Sequence, residues 1–527
     1  MNSSTAFVSF ETKSISQYVL SPTIISLVLI TCTIALAVYL GQNLGARPHV
    51  NEPPFISSKL PYIGHTIGIW KHKMSYYTIL SAKYRHDVFT LPMFGGRLYI
   101  VTAPSLVAPI QRHYKALSFW FLEGAFTVKL GALSNQSAKI LLENAAGREI
   151  GNSLVVDGMK ETHAAMAAGL EQMTQVAVDI VASQINGIKT EVGEKLDLWA
   201  WLERNVALMT SGAVYGPTNP YLDPELLQGL KSFSEESTML LIGFLPSVLA
   251  PKGYAGREKI VKGFKKYFAA GGPKHGSQLI RARFHSLTEY GISLEDISRF
   301  EAVNGFGILI NTIPTAFWSV YHVFSDANLL ATVRELVQPL LNITKTDNGD
   351  PLFTIDIRQI KEIPLLVSIL HEVLRYHASG AAARMVMEDF TLEGKYLFKK
   401  DSMLLIPNRE IHSHGETWGE NVGDFDAFRF IKNTTSSKKP PSGAFRGFGS
   451  GVNLCPGKNF ATAEILALIA MMVLRFDITP VLGTWAYPGD NNKNMSTVIC
   501  SPDAPVPVEV RLRQGRELGT WVFKATS

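Results

Sequence analysis

The chain has 527 residues, of which 46% are hydrophobic and 18% charged, so it is long and apolar enough to bury a large core. Its net charge of +5 is small and its basic residues are scattered, which argues against a nucleic-acid partner. Three cysteines are too few for a disulfide framework, which indicates a reducing compartment for the main part of the chain. No repeat or internal linker divides the chain after residue 70, so one large domain is expected.

The amino-terminal region predicts a single transmembrane helix at residues 18–40. No charged residue lies between Lys13 and Arg47, and a helix over 18–40 would be about 35 Å long, enough to cross the hydrocarbon core. The alternative is a cleaved signal peptide, but the apolar stretch starts late and is too long for one. Residues 1–17 would then form a short lumenal segment.

A proline-rich hinge is expected at residues 41–62, because Pro48, Pro53, Pro54 and Pro61 favour extended chain over helix. Basic residues follow the apolar segment more than they precede it. The positive-inside rule therefore places the main domain, residues 63–527, on the cytoplasmic side of the membrane.

A glycine-rich segment at residues 445–460 surrounds one of the three cysteines. Glycines there allow tight turns and close approach to a flat ligand, and Cys455 comes just before an apolar helical stretch. A helix start favours a thiolate through its free N–H groups and dipole. The alternative is an inert, buried cysteine in a glycine-rich turn.

The spacing Phe-x-x-Gly-x-x-x-Cys-x-Gly resembles the haem-binding signature of the cytochrome P-450 family. This resemblance implies a mainly α fold with a smaller β region, haem b as cofactor, and the Cys455 thiolate as axial ligand of the haem iron. It implies further cofactor-binding residues in the same segment, namely Phe448, Gly449, Gly451 and Gly457.

Two further motifs match the same family. Glu372 and Arg375, three apart on a helical stretch, resemble its Glu-x-x-Arg helix, and Arg429 matches the arginine that completes a structural cluster. The alternative for the first pair is an ordinary surface ion pair. Arg384 resembles the arginine that pairs with a haem propionate, the alternative being an exposed arginine at a strand end.

Residues 300–323 form a long, nearly uncharged stretch that resembles the family's central helix over the open face of the haem. The usual acid and alcohol of that helix are replaced by Ile310 and Asn311, and Thr312 lies about 100° further round a regular helix. Pro314 should kink the helix. The motif is closest to the sterol 7α-hydroxylase and prostacyclin synthase branch, and Asn311 and Thr312 are the candidate catalytic residues. The alternative for Asn311 is a packing amide.

The resemblance implies a microsomal monooxygenase of the fungal secondary-metabolism type. It would insert oxygen from O2 into an apolar small molecule, such as a terpenoid or sterol, with electrons from NADPH through NADPH–cytochrome P-450 reductase. An alternative is a haem-thiolate isomerase or dehydratase that rearranges a peroxide without a reductase, and a haem-bearing sensor ranks last. The expected location is the endoplasmic reticulum, single-pass, with the catalytic domain cytosolic. An apolar stretch at residues 239–246, followed by four lysines, fits contact with membrane lipid, and the alternative is a core helix followed by a solvated one.

Overall fold

The computed structural model describes residues 21–44, 48–60, 62–188, 193–431, 441, 443–516 and 520–525. In these residues the α-helices are α1 Pro22–Leu44, α2 Gly64–His72, α3 Ser75–Tyr84, α4 Val107–Arg112, α5 Phe119–Gly131, α6 Asn135–Leu142, α7 Leu154–Ala168, α8 Leu170–Asn186, α9 Leu198–Tyr215, α10 Pro224–Glu235, α11 Ser237–Ile242, α12 Pro246–Leu249, α13 Pro251–Ala269, α14 Gln278–Glu289, α15 Leu294–Gly305, α16 Thr312–Ser325, α17 Ala327–Val337, α18 Pro364–Tyr376, α19 Asn408–His412, α20 Gly415–Trp418 and α21 Lys458–Arg475.

The strands are short and fall into small sheets. They are β1 Val88–Met93, β2 Gly96–Val101, β3 Leu117–Ser118, β4 Glu194–Asp197, β5 Leu341–Lys345, β6 Pro351–Asp356, β7 Ala381–Val386, β8 Phe390–Leu392, β9 Tyr396–Phe398, β10 Met403–Pro407, β11 Phe476–Pro480, β12 Asp490–Asn491, β13 Ser501–Pro502, β14 Pro507–Leu512 and β15 Thr520–Lys524.

The largest sheet has the order β1-β2-β10-β7-β3. Strand β10 runs parallel to β2 and antiparallel to β7, with Leu404 paired to Arg384. The predicted fold class, mainly α with a smaller β region, is confirmed.

The main core lies among the helices. Helix α21 is buried along nearly its whole length, from Phe460 to Leu474, because its sequence is apolar on all faces. It packs against α8, α16, α17 and α18. The loop that carries Cys455 leads directly into this buried helix, so the position of the cysteine is fixed by the core.

The first helix differs from its predicted bounds of 18–40. It begins at Pro22, which needs no N–H donor in a first turn, and the Ser21 hydroxyl accepts a hydrogen bond from the backbone N–H of Ile24 at 3.3 Å. Residues 18–20 lie outside the described residues. Across the parts of the chain that the structure describes, no helix combines the length and the apolar character needed to span a membrane.

The central stretch at 300–323 is interrupted where the sequence predicts a kink. Helix α15 ends at Gly305, a π-helical turn occupies Phe306–Ile310, and α16 begins at Thr312. Pro314 has no N–H to donate to the carbonyl of Ile310, so a regular helix cannot continue through this point. The interruption lies beside the cavity described below.

Candidate haem-thiolate site

A cavity of about 480 Å³ lies inside the helical part of the molecule. Its walls come from α5, α7, the interrupted central helix, β7, the glycine-rich loop and the start of α21. Apolar side chains form much of the wall, among them Met159 and Met166 of α7, Ile308 of the central helix, and Val498 and Ile499 of the loop before β13. Most small-molecule sites are cavities of this kind, largely apolar with a few polar groups.

The glycine-rich loop forms a tight turn around Cys455. The backbone N–H of Cys455 donates to the carbonyl oxygen of Phe448 at 2.8 Å. Gly449 has a positive φ of 70°, and a Cβ there would lie 2.4 Å from the carbonyl oxygen of Asn453, so only glycine fits. Gly451 also has a positive φ, of 61°. These two glycines let the loop close on itself and present the cysteine to the cavity.

Cys455 lines the cavity with its side chain exposed to it. Burial within the protein raises the pKa of its thiol, and the backbone N–H groups of Gly457 and Lys458 only partly oppose that rise. The N–H groups at the helix start thus favour the thiolate, as the sequence predicts, but burial outweighs them in the protein alone. A bound metal cation is needed to hold the sulfur as thiolate.

The other cysteines do not line the cavity. Cys32 is exposed on α1, and Cys500 is buried beside Asn492 and Arg409. Burial raises the pKa of the Cys500 thiol to about 11. Cys455 is thus the one thiol at the cavity wall among the described residues.

Two arginines lie buried at the cavity without a carboxylate partner among the described residues. Arg384 donates through Nη1 to the carbonyl oxygen of Ala383, and Arg446 donates through Nε to Oδ1 of Asn408. Arg384 Nε and Arg446 Nη1 are buried and make no hydrogen bond with described residues. Burial lowers the pKa of Arg384 to about 9, with a further contribution from the nearby Arg446, and burial lowers the pKa of Arg446 to about 10.

These residues fit a haem. Two buried cations with free N–H groups match two propionate carboxylates, and the sulfur of Cys455 supplies an axial ligand. At Gly457 a Cβ would meet no protein atom closer than 3.8 Å, the nearest being Sγ of Cys455. The glycine is therefore not required by the packing of the protein itself, and it leaves room for a flat group beside the sulfur.

The predicted Glu-Arg-Arg residues form one buried cluster. Glu372 accepts hydrogen bonds from Arg375, at 2.7 Å and 2.6 Å, and from Nε of Arg429, at 3.0 Å and 3.1 Å. Its Oε1 also accepts from the backbone N–H of Asp426 at 3.0 Å. The two arginines donate to backbone carbonyls between residues 412 and 424. The cluster thus ties α18 to the segment that precedes the ligand loop, and the surface-pair alternative is excluded.

Asn311 and Thr312 both line the cavity. In a regular helix the two would lie about 100° apart, but the π-helical turn just before them breaks that regularity. Oδ1 of Asn311 accepts from the backbone N–H of Val498 at 2.8 Å, and Oγ1 of Thr312 donates to the carbonyl oxygen of Ile308 at 3.1 Å. The Asn311 amide nitrogen makes no hydrogen bond with the described residues.

Sequence reasoning missed several polar residues of the cavity. Arg446 stands in the glycine-rich segment itself, so a basic residue near the ligand was visible in the sequence. Glu123 carried no such signal, because it lies in an apolar helix far from the ligand loop along the chain, and Glu464 follows the loop within an apolar helix that the sequence predicts as core. Burial raises the pKa of Glu464 to about 8, partly opposed by the hydroxyl of Thr210, which donates to it at 2.9 Å.

Comparison with known proteins gives the same picture. The family model described as Cytochrome P450 matches residues 305–499. The cytochrome P450 monooxygenase nodJ of Hypoxylon pulicicidum is 32% identical over 511 residues, covering 95% of this chain and 98% of that protein. A cytochrome P450 monooxygenase of Gibberella zeae is 29% identical and covers 97% of this chain and 98% of its own length. The human 7-alpha-hydroxycholest-4-en-3-one 12-alpha-hydroxylase is 25% identical and covers 81% of this chain and 86% of its own length.

The chain belongs to the cytochrome P450 family. It is an oxidoreductase of the monooxygenase type, and its family implies haem with a thiolate ligand. The predicted resemblance is confirmed, including its relation to fungal monooxygenases and, at lower identity, to sterol hydroxylases.

Proposed function

We propose that this monooxygenase binds haem b through Cys455 and inserts an oxygen atom from O2 into an apolar small molecule, with electrons from NADPH through NADPH–cytochrome P-450 reductase. One observation carries the proposal: a thiol faces an interior cavity that also holds two buried arginines without carboxylate partners among the described residues. When bound, the haem with its thiolate ligand supplies the activation of O2, because the thiolate pushes electron density toward the iron.

Arg384 and Arg446 fix the orientation of the cofactor. Each keeps one buried N–H group free for a carboxylate oxygen, while its other bonds hold the guanidinium to Ala383 or Asn408. Charge-assisted pairs of this kind are directional and strong when buried. The loop around the sulfur is shaped by Phe448 and by the glycines Gly449, Gly451 and Gly457.

Asn311 and Thr312 hold water and protons on the side of the central helix. The Val498 N–H fixes the Asn311 amide by binding its oxygen, which leaves the amide nitrogen to donate to a water or to an oxygen atom of the reacting molecule. The Thr312 hydroxyl donates a hydrogen bond to the carbonyl oxygen of Ile308, so the lone pairs of its oxygen can accept a hydrogen bond from the same water. Together the two residues take over the role of the family's usual acid and alcohol, whose places in the sequence are held by Ile310 and Asn311.

The substrate is an apolar metabolite, such as a terpenoid or sterol. The apolar walls of the cavity favour such a molecule, and one relative at 25% identity is by name a sterol 12-alpha-hydroxylase. Around α11 and α12, Ile242, Phe244 and Val248 are 60–67% exposed and form an apolar patch through which a lipophilic molecule can be taken from lipid. Of the lysines after this patch, Lys259 and Lys265 pair with Glu225 and Glu295.

Association with the endoplasmic reticulum membrane, the catalytic domain cytosolic, stays a prediction. Exposed leucines and isoleucines on α1 favour contact with lipid. Flotation with liposomes of the full chain and of a variant lacking residues 1–44 tests it. Flotation of both would assign the membrane contact to the α11–α12 patch, and flotation of neither would contradict the prediction.

The proposal is tested by the absorbance change on adding carbon monoxide to the reduced protein. A strongly red-shifted Soret band that forms with NADPH and reductase supports the monooxygenase. A band that forms only with a chemical reductant, together with turnover of an organic peroxide, would favour the isomerase or dehydratase. A folded, haem-loaded protein without the band would exclude Cys455 as ligand.

A further inference from the structure

Helix α5 directs two polar side chains at the cavity whose hydrogen-bonding atoms no group of the described residues satisfies. Trp120 and Glu123 both line the cavity and lie three residues apart, on one face of the helix. Nε1 of Trp120 and Oε2 of Glu123 are buried and lack a hydrogen-bond partner among the described residues. Unsatisfied buried polar groups cost stability, so a donor and an acceptor side by side indicate a missing ligand.

The subsite begins beside one of the arginines assigned to the haem and extends away from it along α5. At one end of α5, the guanidinium of Arg384 lies 5.3 Å from the ring centre of Phe119. At the other end, Gly131 lies against the central helix near Arg299 and Val303. Trp120 follows Phe119 at the Arg384 end, and Glu123 lies about one turn further along α5, toward the end that contacts the central helix.

None of the described residues places a cation close enough to Glu123 to lower the pKa of its carboxyl. Burial alone raises the pKa of its carboxyl to about 7, with no charged group contributing. The other buried carboxyl of the cavity, Glu464, already accepts a hydrogen bond from Thr210. Glu123 makes no side-chain hydrogen bond with the described residues, and a buried carboxyl in that state is set up to bind a ligand rather than to hold the fold.

We propose that Trp120 and Glu123 form a polar anchor that binds a hydroxyl group of the otherwise apolar substrate. This inference rests on the proposed function and adds to it the chemistry by which the substrate is oriented. One alcohol oxygen accepts from the indole N–H while its proton is donated to the Glu123 carboxyl, so a single group satisfies both side chains. The anchor thereby determines which carbon of the substrate lies near the haem.

Other ligand groups fit the pair less well. An ammonium group has no lone pair, so it would leave the Trp120 N–H unsatisfied. A ketone oxygen accepts from Trp120, but it binds Glu123 only while that carboxyl is protonated. A hydrocarbon satisfies neither group. The predicted order of affinity at neutral pH is therefore alcohol, then ketone, then hydrocarbon.

The test uses menthol, menthone and p-menthane, which share one terpenoid skeleton. Binding to the full-length, haem-loaded protein is measured by the shift of the Soret band on titration. We expect menthol to bind about tenfold more tightly than p-menthane, the factor that one satisfied buried pair is worth. In parallel, infrared difference spectra follow the carbonyl band of the protonated carboxyl, which menthol should shift.

Three variants separate the roles of the two residues. Glu123→Leu should abolish the preference for menthol and remove the shifted carbonyl band, whereas Glu123→Gln, which keeps a donor and an acceptor, should retain most of the preference. Trp120→Phe removes the N–H together with part of the ring, so it should weaken the binding of menthol several-fold more than the binding of p-menthane. Glu149→Leu, an exposed glutamate outside the cavity, is the matched control and should behave like the parent protein.

The outcomes are distinct from those of the proposed function. The carbon monoxide band, measured on each sample, shows that the haem-thiolate site is intact. Given that band, equal affinity for the three probes, absence of menthol binding, or an unchanged preference in Trp120→Phe and Glu123→Leu would each overturn the anchor. If Glu123→Leu fails to fold, the other two variants test the anchor: the preference for menthol should fall in Trp120→Phe and persist in Glu123→Gln. Loss of the band in the parent protein would instead overturn the proposed function.

Discussion

At the scale of single residues, the chemistry depends on Cys455 being the thiol that meets the cavity. We expect Cys455→Ala to abolish the red-shifted carbon monoxide band and NADPH-dependent turnover, because no other thiol among the described residues lines that space. Far-ultraviolet circular dichroism should stay unchanged, since the side chain is not part of the packed core. Cys500→Ala is the control: its sulfur is buried elsewhere, and the band should persist. A band retained in Cys455→Ala would contradict the ligand assignment.

Arg384 permits a prediction with opposite signs in two measurements. Without haem, this arginine is a buried cation with no counter-charge among the described residues, and its pKa falls to about 9. Arg384→Met should therefore leave the urea stability of the haem-free protein unchanged or raise it by about 1–3 kcal/mol. In the loaded protein the same change should speed loss of haem to an acceptor such as apomyoglobin at least tenfold. Equal destabilisation of both forms would show that the arginine serves the fold alone.

At the scale of elements, the interruption of the central helix positions Asn311 and Thr312. Pro314→Ala restores a donor for the carbonyl of Ile310, so the π-helical turn should relax toward regular helix and thermal stability should rise by about 1–3 kcal/mol. The bond from Val498 to Asn311 would then be strained, and more hydrogen peroxide should be released per NADPH consumed. Pro364→Ala, at the first turn of α18 where no N–H is needed, is the control. An unchanged yield of hydrogen peroxide in Pro314→Ala would show that the π-helical turn does not influence the reaction with oxygen.

The Glu372 cluster is a second feature that holds elements together. This carboxylate is fully buried and accepts from two arginines and a backbone N–H. Glu372→Gln would leave two buried guanidinium groups without a counter-charge, and we expect a loss of about 3–5 kcal/mol in urea unfolding. Glu203→Gln, which breaks an exposed pair with Lys231, should cost less than about 1 kcal/mol. Similar losses of unfolding free energy in the two variants would show that the cluster does not stabilise the fold.

At the scale of the whole molecule, buried histidines make the stability depend on pH. Burial, with a smaller contribution from Lys458, lowers the pKa of His371 from 6.5 to about 4, so between these values the unfolded chain binds one more proton than the folded protein. Stability from this group is present above pH 6.5 and is lost as the pH falls toward 4, by about 1.4 kcal/mol per pH unit. His322, His377 and His412 also have lowered pKa values and act in the same direction.

His371→Phe tests this linkage. Its ring lies between Phe430 and Phe445, where a phenyl group fits the same aromatic surroundings. The free energy of unfolding in urea is measured from about pH 7 to about pH 5. Its slope against pH should be smaller in the variant, by the equivalent of one proton, than in the parent protein. His371→Gln should reduce the slope equally while lowering absolute stability. An unchanged slope in both variants would mean that His371 is protonated equally in the folded and unfolded states.

The motifs that the sequence revealed are local. Phe448 to Gly457 lie within ten residues, so the ligand loop needs only turn chemistry and a helix start to form. Glu372 and Arg375 meet because they are three apart on one helix. The partner Arg429 was predicted by its place in the family pattern, and its contact with Glu372 depends on the tertiary fold.

The remaining site residues come together only through long-range packing. Glu123 and Arg446 reach one cavity from segments more than 300 residues apart, and no periodicity or spacing relates them. The register of Asn311 against Thr312 depends on a π-helical turn, which a regular-helix assumption could not supply. The pKa of the Cys455 thiol also depends on burial, which outweighs the N–H groups at the start of α21 and is not visible in the local sequence.

The sequence by itself determined the family, the mainly helical fold class and the candidate thiolate ligand, because each is encoded in contiguous patterns of turn, helix and apolar residues. Only the tertiary structure decided which polar groups are left unpaired at the cavity. A buried polar group lacks a partner only if none of the chain segments packed around it supplies one, as for Arg384, Arg446, Trp120 and Glu123. Those segments are distant along the chain, so no single position of the sequence specifies the outcome.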